Sequence, residues 1–105
     1  MDDIFCKIIN KEIPAKIEYE DDICIIIHDI NPKAKHHLLL IPKKHIRSIA
    51  DLKDEESSII SHLILKARDI AKEKGLEGYK LVFNVDEKGG QEVFHVHLHL
   101  LSNSD

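Results

Sequence analysis

Phe94-His95-Val96-His97-Leu98-His99-Leu100-Leu101 alternates imidazole and apolar side chains up to its closing pair of leucines. An extended chain sends successive side chains to opposite faces, so the pattern predicts a strand with His95, His97 and His99 together on one side. Phe94, Val96, Leu98 and Leu100 fall on the other, where a helix can cover them. That helix is the periodic run from about Asp54 to Lys74, with Ile60, Leu63, Ile64, Ala67, Ile70 and Ala71 at helical spacing and Gly75 as its stop. Between helix and histidine strand, Tyr79 to Val85 reads as another strand, followed by the polar connection Asp86-Glu87-Lys88-Gly89-Gly90-Gln91.

Towards the N-terminus, Ile17 to Tyr19 and Ile23 to His28 are β-branched runs on either side of Glu20-Asp21-Asp22, a hairpin signal. Past Asn31-Pro32, His37-Leu38-Leu39-Leu40-Ile41 reads as a strand buried on both faces that stops at Pro42. Asp2 or Asp3 caps a short helix through Ile9, with Ile4, Phe5 and Ile8 on one side. The order gives an α+β fold: a five-stranded antiparallel sheet with one long and one short helix, a single domain over 1–105.

Composition narrows the function. The chain is 43% hydrophobic and 32% charged, as globular proteins are, and its net charge of −4 argues against coating nucleic acid. The longest apolar runs fall far short of the roughly 20 residues a membrane helix needs. Asp2 and Asp3 stand where a secretion signal has basic residues, so a cytoplasmic protein with Cys6 and Cys24 as free thiols is expected. Eight histidines in 105 residues are the anomaly.

A lone histidine in a strand is a satisfied polar residue in about four cases of five. Three in register reverse those odds. Clustered imidazoles depress one another's protonation, leaving at least one neutral and nucleophilic near pH 7. His-x-His on a strand also builds zinc sites, and spacing alone divides catalysis and metal evenly.

His-Val-His-Leu-His-Leu-Leu resembles the signature of the histidine triad (HIT) family. The likeness covers nearly the whole chain: Ile4-Phe5-Cys6-Lys7-Ile8-Ile9 with Glu12-Ile13-Pro14, His28-Asp29-Ile30, and Ile41-Pro42-Lys43-Lys44-His45 are similar in order and spacing to the Hint-like branch. It implies a HIT-like fold, a homodimer, and hydrolysis of purine nucleoside monophosphate conjugates with no cofactor. His97 would attack the α-phosphorus to form a nucleotidyl-histidine, His99 would contact the phosphate or leaving group, and His95 and His37 would orient the cluster. Asp29 would hold the ribose hydroxyls, within a binding segment that includes His28. Ile4, Phe5, Ile8, Ile27, Ile30 and Leu39 would wall the base, and Asn84, Gly90 and Glu92 would lie beside the phosphate. The resemblance gives no catalytic role to His36, His45, His62 or the Lys43-Lys44 pair. A dinucleoside polyphosphate is the alternative substrate, and a nucleotide-binding or protein-interaction module with secondary catalysis the alternative class.

Two departures stand out. Glu92 occupies a position where the branch commonly has serine, and Ser102-Asn103-Ser104-Asp105 replaces a Gly-Gly-Arg and its aromatic-bearing continuation. Some bacterial relatives hold structural zinc with Cys-x-x-Cys and two histidines. Here the matching residues are Asp3, Cys6, His45 and His99, a set with one thiolate missing and so a weaker zinc site than in those relatives, and no metal is assigned.

Overall fold

The computed structural model describes residues 3–105. Its elements are α1 (Ile4–Ile9), β1 (Ile17–Glu20), β2 (Cys24–His28), β3 (His36–Pro42), α2 (Ser57–Glu73), β4 (Lys80–Val82) and β5 (Leu98–Ser102). The five strands form one antiparallel sheet in the order β1-β2-β3-β5-β4. The hairpin between β1 and β2 is fixed by Asp21, whose Oδ1 accepts the N–H groups of Ile23 and Cys24, both at 2.8 Å.

Side-chain alternation divides the sheet into two unlike faces. Cys24 and Ile26, Leu38 and Leu40, and Leu98 and Leu100 pack under Leu63, Ala67, Ile70 and Ala71 of α2. The opposite parity carries Ile25, Ile27, Leu39 and Ile41 against Phe5 and Ile8 of α1. The long helix ends as expected: Gly75 adopts φ +68, and the N–H groups of Gly75 and Leu76 return to the carbonyls of Lys72 and Ala71. Asp3 is the cap of α1, its Oδ1 accepting the Cys6 N–H at 2.8 Å, whereas Asp2 lies outside the described residues.

Two strands are shorter than their sequence pattern. The last ladder begins at Leu98 instead of Phe94, because β3 ends at Pro42, opposite where Val96 would pair. Proline has no N–H to give, and its carbonyl is already taken by the His95 ring at 2.8 Å. The Val96 N–H turns to the Ile46 carbonyl at 2.7 Å. Phe94 is therefore not under α2; Arg47 stacks over its ring at 4.9 Å. The expected strand from Tyr79 to Val85 is reduced to Lys80–Val82 at the sheet edge. No described helix is long and apolar enough to cross a membrane.

Candidate active site

Register aligns the reactive face into rows. Ile17, Ile27, Leu39, His99 and Val82 stand opposite one another across all five strands, and His37, Leu101 and Lys80 form the next row. The first row thus runs from an apolar end on β1 to an imidazole on β5. α1 lies over the same face and brings the Phe5 ring to 4.9 Å from that of His97, itself 4.9 Å from His99.

Hydrogen bonding fixes the tautomers. The Lys33 N–H donates to His37 Nδ1 at 3.1 Å, so in the neutral ring the proton sits on Nε2. That proton faces His99 Nδ1 at 2.9 Å. His99 in turn must carry its proton on Nε2, a buried atom without a partner in the protein. His97 Nδ1 donates to the His95 carbonyl at 2.8 Å, which leaves Nε2 as a lone pair. The cluster thus holds one nitrogen that can attack, His97 Nε2, and one buried nitrogen that can donate, His99 Nε2–H.

Electrostatics keep these rings neutral. Burial lowers His97 and His37 below the ordinary histidine range. For His99, burial and then the neighbouring rings of His97 and His37 push the pKa down to about 4. Asp29 lies beside this chain of rings, its Oδ2 3.4 Å from His37 Nε2 and its Oδ1 accepting the Asn31 N–H at 2.8 Å.

His95 also lies toward α1, with its ring 6.0 Å from that of Phe5. Fully buried beyond the end of β5, it donates through Nε2 to Pro42, and its Nδ1 lies 3.2 Å from Asp3 Oδ2 and 3.6 Å from Cys6 Sγ. His45 Nε2 joins them, 3.1 Å from Asp3 Oδ2. The metal-capable group is therefore Asp3, Cys6 and His95, with His95 in place of the expected His99, which register holds at mid-sheet beside His37, and with His45 at its margin, its Nε2 also 3.0 Å from the Phe94 carbonyl. Spacings of this size suit ligands around a zinc with bonds of about 2.0–2.3 Å, so the three side chains fit such an ion, and His45 would have to leave the Phe94 carbonyl to complete a tetrahedral set. The ion would sit behind His95 and hold α1 to the loop before β5. A second group, Asp21, Cys24 and His62, lies on the α2 face. There Asp21 Oδ2 accepts from Tyr19 and His62 and fastens the hairpin to the helix.

Phe5, Ile8, Ile27 and Leu39 meet in one apolar cluster on the reactive face. Ile4 and Ile30 are 46% and 87% exposed, Ile30 standing free beside Asp29. The His28 side chain departs from expectation: the parity of β2 sends it to the α2 face, where Nε2 meets Glu18 at 2.8 Å and Glu18 meets Lys74 at 3.0 Å. Only its backbone adjoins Asp29. Gly90 turns with φ +90, and a Cβ there would lie 3.9 Å from the Asn84 carboxamide, so these two residues are neighbours. Glu92 is exposed on the loop that follows. Ile13 and Ile17 were missed; with Ile8, Pro14 and Ala15 they line a cleft of about 350 Å3 at the apolar end of the face. The register row would have found Ile17.

The family described as "Scavenger mRNA decapping enzyme C-term binding" matches residues 2–105. Protein HitA of Neisseria gonorrhoeae is 48% identical over 99 residues, 93% of this chain and 92% of that protein. An uncharacterized HIT-like protein of Synechocystis is 46% identical over 101 residues, 95% of this chain and 89% of that protein. This chain belongs to the HIT family. Among solved structures, a HIT family hydrolase from Legionella pneumophila superposes with a TM-score of 0.95 at 46% identity, covering 99% of this chain and 95% of that one. A histidine triad protein from Clostridium difficile gives 0.92 at 43% identity, with 100% and 96% covered. The HIT signature of this member is the triad His95, His97 and His99.

Proposed function

We propose that this HIT protein is a Hint-like purine nucleoside phosphoramidase that works through a covalent nucleotidyl-His97 intermediate. The observation that carries this reading is the His95 carbonyl on His97 Nδ1–H, which leaves Nε2 with the lone pair. In the first step Nε2 bonds to the α-phosphorus and the phosphorus–nitrogen bond breaks, the departing amine taking one proton from solvent. Water then attacks phosphorus, the bond to Nε2 breaks, and one proton returns to solvent; the net reaction adds one water. The positive charge on the ring of the intermediate is stabilised by the carbonyl at Nδ1. His99 Nε2–H donates to a phosphoryl oxygen as charge grows there, and His37 orients His99.

Asp29 takes the ribose hydroxyls, Asn84 and Gly90 border the phosphate, and the cluster around Phe5, Ile8, Ile27 and Leu39 meets the base, with Ile4 and Ile30 at its rim. A homodimer fits the exposed Ile64 and Leu65 of α2 and the exposed Tyr79 and Leu81 at the β4 edge, an edge that otherwise invites uncontrolled pairing. Its cytoplasmic setting keeps Cys6 and Cys24 reduced. A dinucleoside polyphosphate is the second reading, favoured by the decapping enzyme in the description of the matching family. Turnover of a fluorogenic adenosine phosphoramidate, with and without chelator, tests the proposal. Amine release that survives chelation is expected; AMP uptake without release points to a binding module.

A further inference from the structure

Both cysteines of the chain close the same local device. In Asp3-Ile4-Phe5-Cys6, and again in Asp21-Asp22-Ile23-Cys24, the aspartate Oδ1 accepts the backbone N–H of the cysteine three residues on, at 2.8 Å each time. That bond turns the chain so that carboxylate and thiol converge. It also leaves Oδ2 to face a histidine from a distant segment, His95 Nδ1 at 3.2 Å in the first case and His62 Nε2 at 2.7 Å in the second. The second group lies on the α2 side of the sheet, among the residues packed under that helix and away from His97 and His99.

Its three donor atoms lie within 4.8 Å of one another. Tetrahedral zinc, with bonds of about 2.0–2.3 Å, holds its ligand atoms about 3.3–3.8 Å apart. The 2.7 Å between Asp21 Oδ2 and His62 Nε2 opens to that spacing by a small rotation of the His62 side chain. The surrounding contacts fix the other donors. Asp21 Oδ1 is held by the N–H groups of Ile23 and Cys24, and Oδ2 also accepts from Tyr19 Oη at 2.9 Å, the outer hydrogen bonding that orients a ligating carboxylate. Cys24 is fully buried and stands opposite Pro42 in the sheet, whereas the His62 and Asp21 side chains are 23% and 22% exposed, so an ion enters between these two and meets the sulfur last. Lys66, whose ammonium lies 5.0 Å over the Tyr19 ring, is a cation that the entering ion must tolerate.

We propose that Asp21, Cys24 and His62 bind a divalent ion of the zinc type, with water as fourth ligand, and that this ion cross-links the β1–β2 hairpin to α2. One oxygen, one sulfur and one nitrogen do not suit calcium or magnesium, which take oxygen ligands, and do suit a borderline ion. As the ion binds, the thiol proton of Cys24 leaves to solvent and the neutral His62 ring moves its proton from Nε2 to Nδ1. Carboxylate and thiolate then balance the two positive charges, as a partly buried site requires.

Cobalt(II) is the probe, because a bond to thiolate gives it a charge-transfer band, and the protein is first stripped of metal and kept reduced. In a Cys6→Ser variant, which removes the other thiol, one equivalent of cobalt is expected to produce the band and zinc to compete it away. Adding His62→Gln should weaken cobalt binding about tenfold or more, at least what losing a supporting group costs a metal site. The glutamine keeps a donor for Asp21 Oδ2, so this double variant separates the ligand from the hydrogen bond. Zinc at about a hundredfold over its dissociation constant should raise the melting temperature of the Cys6→Ser protein by roughly 10 °C, and that of the double variant by about half as much or less. Absence of the band at about 1 mM cobalt, a cobalt affinity unchanged by His62→Gln, or an equal rise in melting temperature for the two proteins overturns the proposal. The group is then a hydrogen-bonded fastening alone.

Discussion

A nitrogen that attacks phosphorus needs a free lone pair and a fixed direction, and His97 has both because the His95 carbonyl holds its other nitrogen at 2.8 Å. His97→Asn is therefore expected to lower turnover by at least a thousandfold, about 4 kcal/mol of barrier, while AMP affinity changes little. Wild-type protein quenched during turnover carries one nucleotidyl mass on the peptide containing His97, acid-labile and absent from the variant; a variant that still turns over removes the nucleophile assignment. Asp29 gives a second measurement at this scale. Its Oδ2 is oriented by His37 Nε2 at 3.4 Å and its Oδ1 by the Asn31 N–H. Against AMP, the 2′,3′-dideoxy analogue leaves that carboxylate without its hydroxyl partners and should bind about 1–3 kcal/mol more weakly by calorimetry. Equal affinities would place the ribose elsewhere.

Elements show where a pattern in sequence stops being sufficient. Alternation correctly placed His97 and His99 toward one side, because parity persists through Leu98 even though the ladder begins there. It also put His95 on that side, against Phe5 and α1, but gave no sign that strand pairing stops short of it or that its ring is buried on the Pro42 carbonyl, since both are tertiary facts with no local trace. Parity alone, applied to Cys24–His28, would have sent the His28 side chain to the α2 face with Cys24 and Ile26. The cluster of Asp3, Cys6 and His45 was legible through the resemblance, but not that His95 rather than His99 joins it, a contact between residues 92 positions apart. The loop before β5 is tied down in part by a buried glutamine. Gln91 is buried, accepts the Asp86 N–H at 2.9 Å and donates to the carbonyls of Arg47 and Val93 at 2.7 and 3.1 Å. Gln91→Ala strands those groups and should cost about 1–3 kcal/mol in urea unfolding. It should also weaken AMP binding, because the same loop carries Gly90. Unchanged stability would mean the loop is held by the Arg47–Asp86 pair instead.

Across the whole molecule, the reactive face imposes a dependence on pH that the carboxylates do not. Burial holds His37 low, and burial with its neighbouring rings holds His99 at about 4, while an unfolded histidine titrates near 6.5. Between those values the unfolded chain binds more protons than the folded one, so stability falls as pH drops from about 6.5 towards about 4. Glu18, Glu20 and Glu56 act in a separate, lower window. Hydrogen bonds from Lys74, Lys11 and Lys44 respectively hold them below the usual 4.5, so their contribution is lost only as pH falls below that value. Melting temperature recorded from pH 7.5 to 3 should therefore decline in two stages, each kcal/mol lost lowering it by about 4–8 °C in a chain of this size. His99→Gln keeps an acceptor for the His37 Nε2–H but no titrating ring, so it should flatten the upper stage and leave the lower one in place. An upper stage that persists unchanged in this variant would show that the protons are taken up by another group, and that His99 is not held neutral by the site it faces.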